Sequence, residues 1–317
     1  VEGAQQALCG VPVHVFSAAD SYLNLRQDTD PEGIATFRLP AGSYRFRADY
    51  QGSRYWASAG LAAHGRHEVL LDTGGGAFTL SVDTGSGPLA DTRVHVFTAT
   101  GAYLGLYGVT DGDGQVVFGL AEGSYTFRVD RLGYPFWSPA YSVPEELSGI
   151  FAIPHGDVTV AVAGDFPTVE PLPGLKVHLF TPAGAFLNQS WTTDPNGRVR
   201  FHLPDSAFKV RVDTLGQRFW SDEFRSQDAA VTIPHGALGV EVSRLGAAVT
   251  DARVHLFSEG GAYLGVLREA DAWGAAHFVL PEGTFKFRID QNGEQHWTQP
   301  IGVLPGVETR LPVELAE

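Results

Sequence analysis

Four near-copies of one phrase constrain this chain more than any other feature: PVHVF at 12–16, RVHVF at 93–97, KVHLF at 176–180 and RVHLF at 253–257. The Val before each His stands at Val13, Val94, Val177 and Val254, giving spacings of 81 (94−13), 83 (177−94) and 77 (254−177) residues. From Val254 through the last residue and round to Val13 is 76 residues (317−254+13), so four units of near 80 residues leave almost nothing over. A fixed period of this kind predicts a tandem array in which every copy builds the same supersecondary unit.

Each copy runs through the same signals. After the His phrase come Tyr22, Tyr103, Phe186 or Tyr263, each followed by Leu. A tight turn then reads TDPEG, TDGDG, TDPNG or ADAWG. Its Asp (Asp30, Asp111, Asp194, Asp271) can cap the turn, and its Gly (Gly33, Gly114, Gly197, Gly274) tolerates positive φ. A strand reaching Phe37, Phe118, Phe201 or Phe278 leads to SYRFRAD, SYTFRVD, AFKVRVD and TFKFRID. Strict alternation over such runs predicts antiparallel strands with one wet face, and no stretch holds a helical period over ten residues. Short strands separated by turn signals point to β-sandwiches.

The runs TDPEGIATFRLPAGSYRFRAD and TDGDGQVVFGLAEGSYTFRVD resemble the D-x-x-G…F-x-L-P-x-G-x-Y signature of transthyretin-like sandwiches. That group includes the carboxypeptidase regulatory-like domain and the B-type, immunoglobulin-like repeats of collagen adhesins. The resemblance covers about 20 residues of each unit and implies stalks, spacers and surface modules rather than enzymes. Some adhesin members carry a Lys–Asn isopeptide crosslink; the first two units here contain no Lys, so it is no general feature of this chain. The expected architecture is all-β: four tandem antiparallel sandwiches at 1–74, 75–155, 156–235 and 236–317, in an elongated rod.

Alternation puts Tyr44, Phe46 and Ala48 on the core face of their strand and Arg45, Arg47 and Asp49 on the other. The dipeptides QG, LG, LG and NG, centred on Gly52, Gly133, Gly216 and Gly293, read as two-residue hairpin turns. Such turns fix the register: Tyr50 faces Ser53, Asp49 faces Arg54 and Arg47 faces Trp56. The same counting pairs Arg128 with Trp137, Arg211 with Trp220 and Arg288 with Trp297. A guanidinium over an indole contributes about 0.5–1 kcal/mol when exposed. These pairs read as cross-strand staples or as a row of indoles for sugar rings.

Other chemistry finds little footing. The net charge of −14 opposes nucleic-acid binding, and no apolar run is long enough to span a membrane. The fourfold His (His14, His95, His178, His255) has no second metal ligand close in sequence and reads as a hydrogen-bonded boundary residue. His64 and His67 in AHGRH have weak ligand spacing and do not recur. TDGDG lacks the acidic residue that closes a calcium loop and reads as a plain turn. No nucleophile motif or phosphate-cradling loop is present, so neither catalysis nor a cofactor is expected. Cys9, the one cysteine, reads as a small core residue or as a covalent link to another chain.

The absence of Met and the start at Val1 point to a processed, exported protein. Later units have a strand before the anchor, FTLSV, VTVAV and ALGVEV, and the first unit lacks one. The tail TRLPVELAE resembles such a lead strand at VEL, or else its TRLP matches the closing strands AIP and TIP. On the first alignment a tail strand completes a neighbour's first unit, building a head-to-tail homopolymer. Val1, Cys9, Leu311, Val313 and Leu315 are then the interface. The expected role is an extracellular fibre, sheath or stalk subunit, whose partners are copies of itself or adjoining repeats. The alternatives are a surface adhesin with glycan partners and a non-catalytic extension of a secreted hydrolase.

Overall fold

Each His phrase forms a strand: Pro12–Ser17, Arg93–Thr98, Lys176–Phe180 and Arg253–Ser258. The computed structural model of the chain describes residues 7–57, 61–62 and 65–316. It is all-β; no helix occurs among the described residues, and none is long and apolar enough to cross a membrane. The chain divides into two compact units, Val1–His155 and Gly156–Glu317.

In the first unit, one sheet runs in the order Tyr22–Asp28, Pro12–Ser17, Ser43–Tyr50, Ser53–Trp56. The next copy repeats it with Tyr103–Val109, Arg93–Thr98, Gly123–Arg131 and Tyr134–Trp137. The hairpin turns have two central residues of positive φ, Gln51 at 47° with Gly52 at 80° and Leu132 at 48° with Gly133 at 80°. Such turns match the twist of the strands they join, so Arg47 lies opposite Trp56 and Arg128 opposite Trp137. The second unit has the same hairpins, with Arg211 opposite Trp220 and Arg288 opposite Trp297.

A second sheet faces the first in three copies, and its middle strand is the lead strand. Gly76–Asp83 lies between Gln115–Leu120, antiparallel, and Ser148–Ala152, parallel. Phe78, Leu80 and Val82 point inward and are buried, together with Phe118 and Phe151. The parallel pair departs from the wholly antiparallel pattern expected from alternation. The chain leaves the lead strand, builds the entire first sheet and returns in the starting direction, so that sheet serves as the crossover that parallel pairing needs.

The tail corrects the donor alignment. Glu308–Leu315 is the parallel closing strand on His235–Arg244, with Val242 opposite Val313 and Arg244 opposite Leu315. Leu315 is buried, and Leu311 and Val313 pack on the same core. This places VEL where Phe151 and Ile153 close the second copy, so Leu311, Val313 and Leu315 are engaged at home and not free for donation.

The first copy differs. Residues 34–39 and 67–72, the counterparts of 115–120 and 149–154, form no strand ladder. Ala35, Phe37, Leu39, Val69 and Leu71 are half-buried around a small core of Val13, Val15, Phe46 and Ala57. In the second copy each counterpart pairs with the lead strand rather than with the other.

Inside the first unit the first copy's hairpin tip is seated on the second copy. Gln51 donates from Nε2 to Gly119 O at 3.0 Å, and its Oε1 accepts from Ala121 N at 2.8 Å and from Tyr125 Oη at 3.3 Å. The Tyr55 hydroxyl donates to Glu122 O. Burial raises the Tyr125 pKa first, with Tyr55 adding to it, and burial likewise raises that of Tyr55.

Two predictions follow from this packing. A Cβ on Gly114, at φ 73°, would stand 2.6 Å from Val82 O of the lead strand, whereas one on Gly33, at φ 76°, meets only Ala7 and Leu8 at 3.0 Å or more. Both Gly→Ala changes carry a left-handed cost of about 1–2 kcal/mol; Gly114→Ala is expected to cost more in urea unfolding, and equal costs would contradict the packing account. The second concerns pH. Raised folded pKa values mean that the joint's stability is complete below the ordinary tyrosine value of about 10 and is lost as pH climbs past it. The second unit has Phe219 and Phe285 at these positions, so alkaline titration should weaken the first unit selectively, read by urea unfolding alongside tyrosinate absorbance.

Candidate functional site

The feature that recurs in all four copies lies on the outer face of the first sheet. Alternation along PVHVF sends His14 and Phe16 to the side away from the core, yet Phe16, Phe97, Phe180 and Phe257 are only 5–7% exposed. Something on the wet face covers each one, and three neighbouring strands supply the cover.

The indoles of Trp56, Trp137, Trp220 and Trp297 lie against these rings at 4.6–4.7 Å between centroids. Tyr22, Tyr103, Phe186 and Tyr263 approach from the other side at 5.1–5.3 Å. Above them sit the guanidinium carbons of Arg47, Arg128, Arg211 and Arg288, 5.0–5.4 Å from the Phe ring. The same carbons are 5.7–6.0 Å from the indole. Each Arg is held by the Asp two residues on: Arg47 by Asp49 at 2.7 Å, Arg211 by Asp213 at 2.7 Å and Arg288 by Asp290 at 2.8 Å, all through two bonds. Arg128 reaches Asp130 through one, at 3.1 Å. The fourfold His stands 3.2–3.9 Å from the same carboxylate. Burial, then the Arg128 charge, lowers the His95 pKa.

A bulge brings Tyr22 into this cluster. Val15 pairs with Leu25 but Phe16 with Tyr22, leaving Leu23 and Asn24 without opposite numbers. Asn24 and Asn188 take φ near 58–59°, and Gly105 and Gly265 take 71° and 75°. Only Asn and Gly occupy this position, as a left-handed backbone favours. The alternation Asn, Gly, Asn, Gly within AYLG-type phrases is the sequence signal for the bulge. Position in the His phrase is likewise the signal for the outer Phe.

In chemical terms the cluster is an aromatic pocket roofed by a cation, with the cation neutralised by a carboxylate; Arg128 Nε alone of the four Arg Nε atoms is buried without a hydrogen-bond partner. In the third copy a shallow depression is lined by His178, Phe180, Phe186, Asn188, Ser190 and Arg211. The Trp side chains are 37–51% exposed, so one part of each indole packs and the rest meets solvent.

The remaining candidates are placed as follows. Cys9 is exposed, which removes the core reading, and its Sγ lies 3.8 Å from Thr29 O. Val1 and His64 lie outside the described residues. The Asp111 carboxylate accepts from Asp113 N at 3.0 Å and Gln115 N at 2.8 Å, and so serves its own turn. Among the described residues no group of three or more His, Cys, Asp or Glu side chains could hold a metal ion.

No family model matches the chain, and no curated protein does. Among solved structures it is similar to the minor pilin GBS52 of Streptococcus agalactiae, at 14% identity and a TM-score of 0.31 over 50% of this chain and 94% of that one. It is similar to the major pilin subunit BcpA of Bacillus cereus at 12% identity and a TM-score of 0.23, over 75% of this chain and 98% of that one. The Bacillus anthracis TIE protein matches at 13% identity and a TM-score of 0.24, over 97% of this chain and 68% of that one. At these scores the likenesses carry no functional weight.

A double-mutant cycle on Arg288 and Trp297, each changed to Ala, is expected to give a coupling of about 0.5–1 kcal/mol in urea unfolding of the second unit. Arg288→Lys should recover little of it, because Lys lacks the paired donors that grip Asp290. A coupling of zero would mean that the four pairs are neighbours without mutual stabilisation.

Proposed function

We propose that this chain is a non-catalytic structural subunit of an extracellular fibre, sheath or stalk. In this reading its four sandwich units, at 1–74, 75–155, 156–235 and 236–317, supply span, and the first is completed by a strand from its neighbour in the assembly. One observation carries the reading. Residues 34–39 and 67–72 form no strand ladder in the first copy, whereas their counterparts flank a lead strand in each of the other three, which supports a slot between them. A sheet interrupted in this way offers two rows of backbone groups and an apolar floor to an incoming strand. The donor is a strand of lead type, since this chain's own closing strand is already paired.

A peptide with the sequence of residues 77–83, AFTLSVD, should bind the full chain and raise the urea midpoint of the first copy. A peptide with Phe78, Leu80 and Val82 exchanged for the polar residues between them should not. Electron microscopy of native material with antibody against the chain should label filaments at regular intervals. Diffuse surface labelling together with failure of the peptide to bind would sink the reading.

A second reading rests on the half-exposed Trp of every copy. Repeated indoles beside Tyr22, Tyr103 and Tyr263 suit glycan stacking, and a shift of Trp fluorescence on adding oligosaccharides would select that reading over a purely structural one.

A further inference from the structure

The seating of one hairpin tip on the next copy occurs once in each compact unit, and the two versions differ in a paired way. In the first unit the first turn residue is Gln51, and the face beneath it presents the N–H of Ala121. In the second unit the turn residue is Leu215, which packs on the apolar core of the last copy. The face residue there is Pro281, which has no N–H to offer. The rest of the joint is shared. Gly52 faces Leu104 and Gly216 faces Leu264, at 3.5 and 3.9 Å from a hypothetical Cβ. Gly123 lies under Ser53, and Gly283 under Gln217.

The pairing has a physical basis. An amide seated on a proline face leaves its carbonyl oxygen without a donor, and a leucine seated on an N–H face leaves that donor bare. Gln with Ala and Leu with Pro avoid both penalties. The first copy's own face carries Pro40, with Leu23 (the counterpart of Leu104) 37% exposed beside it. The last copy's tip is Asn292–Gly293, an exposed amide tip.

We propose that this residue pair selects which repeat seats on which, and that the face around Pro40 and Leu23 takes a β-repeat whose hairpin tip reads Leu–Gly. This rests on the end-to-end reading given above and names the partner's chemistry. The chain's own Asn292–Gly293 tip is the mismatched occupant.

The rule is tested first inside the first unit by Gln51→Leu, Ala121→Pro and the double variant in the full chain. Pro stands at the equivalent position in the other copies (Pro40, Pro204, Pro281), so the fold accepts it. Hydrogen exchange of the 50–56 hairpin should rise about tenfold in each single variant and return close to the parent in the double variant. A double variant that shows the sum of both losses overturns the rule. Partner choice is tested by Asn292→Leu, which gives the last copy a Leu–Gly tip. Sedimentation equilibrium should show concentration-dependent self-association of this variant beyond the parent chain, reversed by Leu23→Glu. Equal association of parent and variant, or insensitivity to Leu23→Glu, overturns the assignment. Binding of the 77–83 peptide is a separate readout, so failure of the joint rule and failure of the strand-acceptor reading are told apart.

Discussion

The lead strand is the interaction on which the rest of each copy depends. It is the one element hydrogen-bonded on both sides within the second sheet, and it carries the apolar triple Phe78, Leu80 and Val82 into the core. Each such side chain contributes about 1.5–3 kcal/mol on burial, and two edge segments gain their backbone partners at the same time. Among the described residues of the first copy no such strand is paired, and the contrast shows what it does. Phe118 is 7% exposed where its counterpart Phe37 is half-buried, and the flanking segments lose their ladders. The first copy is left with its five-stranded sheet, a small core and the Gln51 joint, so it leans on the second copy for stability that the others find within themselves.

The outer cluster solves a different problem, that of a large aromatic on a wet face. Phe16 and its three counterparts are buried on the side of the sheet that alternation assigns to solvent. Trp and Arg from the adjoining hairpin roof them, and Asp neutralises the charge. Arg suits the role because its planar guanidinium lies flat on rings while gripping a carboxylate with two donors. That fits a chain with 19 Arg among its 22 basic residues. The hairpin register and the cluster therefore support each other: the two-residue turn sets Arg opposite Trp, and the Phe beneath gives both a surface to cover.

Much of this was legible because the signals are local. QG, LG and NG fix a register through turn geometry alone, and D-x-x-G announces a turn whose carboxylate accepts from its own backbone. What was hidden is non-local. Parallel pairing of the closing strand depends on a return across the whole first sheet, which no short window records. The tail misled for that reason, since VEL alternates equally well as a lead strand or as a closing strand, and only its partner decides. The outer Phe is visible in PVHVF, but its burial is not, because the Trp and Arg that cover it come from other strands. Cys9 gave no reliable signal, since a single small residue next to a Gly carries no periodicity.

The two features of the first copy act in one direction. In the proposed reading, a slot that accepts a lead strand offers no lead strand in return, and a face that receives a hairpin tip is not itself a tip. Two copies of such a surface cannot close on each other about a two-fold axis, because a self-complementary patch would have to supply both halves of the contact. On that reading, a partner of the first copy approaches with a different surface from the one it covers. Contacts of that heterologous kind extend a structure and do not cap it unless their rotation closes a ring.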